Sequence, residues 1–285
     1  MQHHPLSKVF SEKDFERLAQ DKCLLNSGTA DYNIAGMLSR EPWYFEHAVG
    51  AWYDFVAALG AEAAEEYKHR LRSDVRDRSR FLQTAGEMAV AHYFGTELHL
   101  PVQRMPEQEG MPTPDFEVVT SAGTLLAEVK TIVGGIPVGT IGAFGVASRA
   151  PKVRKAIKAA ARQVPASSQG LVMIVDFHRP SIAREDVVDA MYGTTMLALD
   201  YGPDGPVGDW KWTRKNDGFA RQHTRVSAVG IVGWGSEPAC KAYFAHNAFA
   251  RLPVPPELLD PAPQFVPSAD GTCLECRNRP DYWTR

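Results

Sequence analysis

A chain of 285 residues with 44% hydrophobic and 23% charged side chains has the make-up of a folded globular protein with ample material for a core. The formal net charge of −3 argues against a general nucleic-acid coat protein, and no apolar run approaches the ~18–20 residues of a membrane span. The N-terminal stretch has no apolar signal core, and four cysteines make no disulfide framework, so a reducing, cytoplasmic setting is expected.

Residues 11–20 and 43–95 carry apolar side chains at three- and four-residue spacing with little Gly or Pro. This predicts a first helix, then two or three more with breaks near Gly60 and Ser73. From about Leu98 the pattern changes to short runs rich in branched and aromatic residues: LHLPVQRM, DFEVV and TLLAEVKTI, then GLVMIVDF, VSAVGIVGW and CKAYFAHNAF. These read as strands. APKVRKAIKAAARQV, between the third and the fourth, reads as a helix, as does 183–192. The expected class is α/β, a mixed sheet with helices on both faces. Residues 133–151 are glycine-rich and loop-like. So is YGPDGPVGDWKWTRKNDGF (201–219), which carries two tryptophans among basic residues. The expected organisation is a helical extension over 1–75, a core over 76–255 and a proline-rich tail over 256–285, packed on the core.

The hairpin PDFEVVTSAGTLLAEVKTI (114–132) carries the chemistry. Its turn must lie within TSAGT, where Gly123 takes positive φ freely. A two-residue loop at Ala122-Gly123 puts Asp115 opposite Lys130, a three-residue loop puts it opposite Val129, and a four-residue loop ending at Gly123 puts it opposite Glu128. Each turn brings Asp115 beside the Glu128–Lys130 segment. Strand alternation places Glu128 and Lys130 on one face. Two carboxylates so close repel unless a cation lies between them. Mg²⁺ accepts one or two carboxylates, a carbonyl and several waters, and an adjacent lysine can orient water or stabilise phosphate charge.

Three flanking features point the same way. Glu87 shares a largely apolar helical stripe with Thr84, Ala91 and Phe94, where a carboxylate is costly unless paired or bound to metal. Between Thr131 and Val175 there is no acid, yet Arg149, Lys152, Arg154, Lys155, Lys158 and Arg162 are present. At about 100° per residue, Val153, Ile157, Ala160 and Val164 fall on one face of the 150–164 helix. Arg154, Lys155, Lys158 and Arg162 fall on the other, suited to solvent or phosphates. Gln163 lies at the boundary. Third, an acid-bearing helix, Pro-Asp, Glu-x-Lys and a basic helix occur in that order.

Pro114-Asp115, Glu128-Val129-Lys130, the helical Glu87 and Gln163 together resemble the PD-(D/E)XK nuclease superfamily, over roughly 80–180 and on to about 250. The resemblance implies a restriction-endonuclease-like core of αβββαβ order and Mg²⁺-dependent hydrolysis of phosphodiesters, more often in DNA than in RNA. Mn²⁺ is expected to substitute for Mg²⁺. By position, Asp115, Glu128 and the Val129 carbonyl would bind metal with Glu87 close by, Lys130 would position or activate water, and Gln163 would assist. Lys152, Arg154, Lys155, Lys158 and Arg162, with Lys211 and Arg214 from the tryptophan segment, would contact nucleic acid. Many members of the superfamily dimerise; a homodimer or another protein partner is compatible with the sequence, a membrane is not.

Other readings are weaker. Cys273-Leu274-Glu275-Cys276 has only Cys23 and Cys240 as further thiols and no second pair at zinc-ribbon spacing. GGIPVGTIG lacks the lysine of a phosphate-cradling loop, and His246 reads as a structural histidine. A catalytically weak nucleic-acid-binding protein on the same fold, or a nuclease acting on RNA, are the alternatives to a DNA nuclease.

Overall fold

The apolar spacing of the N-terminal third produces helices α1 (Glu12–Gln20), α2 (Tyr44–Leu59), α3 (Ala61–Ser73) and α4 (Arg78–His92), with the breaks at Gly60 and at a 3₁₀ turn, Asp74–Arg76. The computed structural model describes residues 4–20, 44–107, 110–133, 148–177, 182–202, 205–233, 241–268 and 274–278. Asp77 starts α4: its carboxylate accepts the Arg80 N–H at 3.1 Å, satisfying one of the donors a helix start leaves free.

Strands β1 (Val102–Arg104), β2 (Phe116–Thr120) and β3 (Gly123–Ile132) follow, then α5 (Ala150–Ala160), β4 (Gln169–Asp176) and α6 (Arg184–Tyr192). After β5 (Thr195–Gly202) and β6 (Gly205–Arg214) come β7 (Val226–Gly233), β8 (Lys241–His246), β9 (Gln264–Pro267) and β10 (Leu274–Arg277). Eight strands form one sheet in the order β1-β2-β3-β4-β7-β8-β9-β10, while β5 and β6 pair with each other. The first three run antiparallel; β4 lies parallel to β3, and β7 parallel to β4. The fold is therefore α/β, with a large mixed sheet flanked by helices.

Two apolar layers hold it. On one face Trp52, Phe81, Met88 and Phe94 pack with Val118, Leu125, Val129 and Met173. On the other, Val153, Ile157 and Val187 pack with Val172, Ile174 and Val229. Each such side chain, removed from water, contributes about 1.5–3 kcal/mol. Helix α4 lies directly on the sheet at Gly86, where an added Cβ would stand 2.5 Å from Thr131 Oγ1.

Two expectations are corrected. The segment expected as a loop over 201–219 contains β6 and the end of β5: its glycines and prolines hide a ladder in which Leu197 pairs with Trp212 and Ala198 with Lys211. The proline-rich tail does more than pack on the core. Its β9 and β10 extend the main sheet, β9 running parallel to β8.

Candidate active site

The β2–β3 register decides what meets what. Thr120 pairs with Gly123 and Phe116 with Ala127, so of the three turns considered from sequence the structure has the register that sets Asp115 opposite Glu128. Ser121 and Ala122 form the turn, and Gly123 supplies the positive φ of 126°.

The ladder then stops for a chemical reason. In this register hydrogen-bonded pairs alternate, and the next partner of Val129 would be Pro114, which has no N–H. Two side chains take over the open edge of β3. Asp115 Oδ2 accepts the Val129 N–H at 2.7 Å. Gln83, on α4, donates from Nε2 to the Val129 carbonyl at 3.2 Å and accepts the Thr131 N–H on Oε1 at 3.0 Å. Its amide thus occupies the place a strand peptide would take opposite Lys130.

Beyond the last β2 pair, the even residues of β3 face the α5 side of the sheet. Glu128 is buried, at 3% exposure, and Lys130 Nζ donates to Glu128 Oε1 at 2.6 Å. The Asp115 and Glu128 carboxyl groups are within hydrogen-bonding reach of each other. Burial, then the negative charges of Glu87 and Glu128, raise the Asp115 pKa to about 8, against the pull of the Val129 N–H and of Lys130. Burial also raises that of Glu128, with Lys130 opposing. Near neutrality this pair therefore retains a proton.

Glu87 is buried beside the pair and is held by arginines. Arg70 grips it with two bonds of 2.6 and 2.8 Å, Arg104 approaches at 3.4 Å, and Gln83 at 3.3 Å. Arg104 is fixed in turn by Glu66 through two bonds, at 2.8 and 2.5 Å. Both Glu87 oxygens are thus engaged, while Asp115 and Glu128 each keep lone pairs uncommitted to arginine. Among the described residues no group of three or more Asp, Glu, His or Cys side chains is arranged for a metal ion. Two carboxylates and a peptide carbonyl nonetheless suit Mg²⁺, which keeps several waters. Between two such carboxyl groups a bound cation would relieve the repulsion that raises their pKa values.

Sequence reading missed Gln83, Arg70 and Arg104. Gln83 had a signal, lying four residues before Glu87 and hence on the same helical face. The arginines had none, since α3 and β1 meet α4 only in the tertiary structure.

The basic helix divides as expected in its apolar half: Val153, Ile157, Ala160 and Val164 are buried. Its cations do not behave alike. Lys152, Lys155, Lys158 and Arg162 are exposed, whereas Arg154 is consumed internally, bonding Asp217 at 3.0 Å and the Asp189 carbonyl at 3.2 Å. Gln163, expected on the helix, lies in the turn after its end at Ala160, with its N–H on the Ala160 carbonyl at 2.9 Å. That end of α5 leads to Gln169, which pairs with Leu125 at the far end of β3 from Lys130. Arg214 bonds Asp189 at 3.0 Å and the Gly193 carbonyl at 2.8 Å. Lys211 sits on β6 between Trp210 and Trp212, and these three side chains lie outside the described residues, as do Cys23, Cys240 and Cys273. Cys276 is exposed and free. His246 is buried against Gln264 Oε1 at 2.7 Å, a structural pairing.

Comparison with protein-family models, with curated proteins and with solved structures returns no match. No helix among the described residues is long and apolar enough to cross a membrane.

Proposed function

We propose that the protein is a divalent-metal-dependent nuclease that hydrolyses phosphodiester bonds in DNA. The observation that carries this reading is the carboxyl pair of buried Glu128 and half-buried Asp115, joined to Lys130, at the point where β3 outlasts its neighbour. The order α4-β1-β2-β3-α5-β4, with β1–β2–β3 antiparallel and β4 parallel to β3, supports it as the arrangement expected of a restriction-endonuclease-like core.

In this reading Asp115, Glu128 and the Val129 carbonyl hold Mg²⁺, with Mn²⁺ as a substitute. The bound ion would supply Lewis acidity towards a phosphate oxygen and a lowered pKa for its water. Asp115 is aimed by the Val129 N–H, and Glu128 by Lys130. Gln83 fixes the peptide whose carbonyl completes the donor set. Lys130 is the one cation of the group that is about a third exposed, placed to orient water or to meet developing phosphate charge. Glu87 serves as the anchor that Arg70 and Arg104 share, contributing negative charge to the site without giving up its oxygens. The exposed lysines of α5 offer the polyanion a non-specific track.

The test is cleavage of supercoiled plasmid, linear duplex, single-stranded DNA and RNA, with Mg²⁺, Mn²⁺ or EDTA, beside Glu128→Ala and Lys130→Met. Binding of Mn²⁺ is followed in parallel by electron paramagnetic resonance. Metal-dependent cutting lost in both variants is expected. Cutting of RNA alone would move the substrate to RNA. Neither cutting nor metal binding would make Glu128 and Lys130 a structural ion cluster and defeat the reading.

A further inference from the structure

Across the sheet from the hairpin lies a cleft of about 1100 Å³ between α6, the 214–221 segment and β9–β10. From β3 to β9 there are four ladder steps, or about 19 Å at ~4.8 Å each. The cleft is therefore separate from the carboxyl pair. It is on the same side of the sheet as α5, because Phe265 and Tyr192 in its wall pack against the apolar layer that α5 and α6 form.

Among the described residues its lining carries four basic residues, Arg184, Arg214, Lys215 and Arg221, against two acids, Glu185 and Asp189. The acids are already matched: Glu185 by Arg184 at 2.6 Å and Asp189 by Arg214 at 3.0 Å. The surplus positive charge sits on Lys215 and Arg221. Arg221 lies over the ring of Phe249, its guanidinium carbon 4.7 Å from the centroid. Among the described residues Phe249 is one of the few large apolar side chains left exposed, at 38%. An exposed ring bearing a guanidinium is a stacking surface for an unpaired base.

A second observation joins this cleft to α5. His223, two residues after Arg221, stacks on Phe219 at 4.5 Å. Its pKa is lowered by burial first and then by the charges of Lys158, Arg225 and Arg162. Arg225 donates to the Val164 carbonyl at 3.5 Å, so the 221–225 turn and its cations lie against the segment that follows α5, some sixty residues earlier in the chain.

Given these contacts, we infer that the cleft binds an unpaired stretch of nucleic acid, a base stacking on Phe249 and Arg221 and the backbone meeting Lys215. This deepens the proposed function and rests on the protein handling nucleic acid: α5 would carry the strand between hairpin and cleft.

The experiment is fluorescence anisotropy of a short labelled oligothymidylate, and of a duplex of the same length, with the full chain in EDTA so that nothing is cut. Phe249→Ala is expected to weaken binding of the oligothymidylate by roughly 5- to 150-fold, the range of one base–aromatic stack, and to affect the duplex less. Lys215→Gln, at an exposed site with no core role, is expected to lower the salt-dependence slope by about 0.7. Oligothymidylate binding that is absent, or unchanged in both variants, overturns the inference, as does a duplex that is bound more tightly and lost equally in Phe249→Ala. The two readings fail separately. Stacking that depends on Phe249 in a protein that never cuts would sink hydrolysis and leave the cleft standing. Cutting with binding indifferent to Phe249 would do the reverse.

Discussion

Replacing Asp115 by Asn should stabilise the metal-free protein, and by an amount that grows with pH. Asn keeps an oxygen for the Val129 N–H but removes one of the two carboxylates. In the wild type the Asp115 pKa stands at about 8 against an ordinary 3.8. The folded chain therefore binds a proton more tightly than the unfolded chain does. Stability falls as pH rises from about 4 to about 8, at up to ~1.4 kcal/mol per pH unit. The full span of about four units would amount to roughly 6 kcal/mol. Asp115 is only half-buried, so solvent screening brings the figure down to about 3 kcal/mol. Urea denaturation in EDTA should then show a gap between Asn variant and wild type of about 1.6 kcal/mol at pH 5, widening to about 3 kcal/mol by pH 8.5. Adding Mg²⁺ at a hundred times its Kd should restore about 2.7 kcal/mol to the wild type and little to the variant. A gap equal at pH 5 and pH 8.5 would refute the reasoning, because it would mean that Asp115 ionises in the folded state as it does in the unfolded one.

Two further outcomes test the rest of the site. Gln83→Leu should cost about 1–3 kcal/mol by chemical denaturation, since it strands the Val129 carbonyl and the Thr131 N–H. The Thr131 amide should exchange with deuterium faster; unchanged exchange would mean that this edge is satisfied some other way. Arg154 and its helical neighbours should separate cleanly. Arg154→Ala should lower stability by about 1.5–3 kcal/mol through its bonds to Asp217 and the Asp189 carbonyl. Lys155→Gln with Lys158→Gln should leave stability within ~0.5 kcal/mol yet reduce the salt slope of duplex binding by about 1.8.

The hairpin was legible because strand pairing has only a few registers, and every admissible turn left Asp115 next to Glu128–Lys130. The choice among those registers was not, since Thr120 and Gly123 could each flank or enter the turn on local preference alone. Glu87 stood out as a charge on an apolar stripe, and its burial was the correct inference. What pairs with it was invisible: Arg70 and Arg104 lie seventeen residues before and after it in the chain and reach it only once α3 and β1 pack against α4. The basic face of α5 looked uniform because helical angle says nothing about a neighbouring helix. Arg154 is the residue that faces α6, and it is spent there. Residues 201–219 were read as loop because Gly and Pro weigh heavily in a short window, although a hairpin tolerates them beside its turn.

An unpaired sheet edge is an invitation to any other extended chain. At the end of β3 that invitation is withdrawn by Asp115 and Gln83, which occupy the backbone groups of Val129 and Thr131 before a visiting strand can. The same two side chains that shape the site therefore leave the Val129 and Thr131 backbone groups with no bond to offer a visiting strand. Substitutions there that cannot make these bonds, such as Gln83→Leu, will uncover a short adhesive strip, and clumping of such variants would have its origin in that strip rather than in a failure of the core.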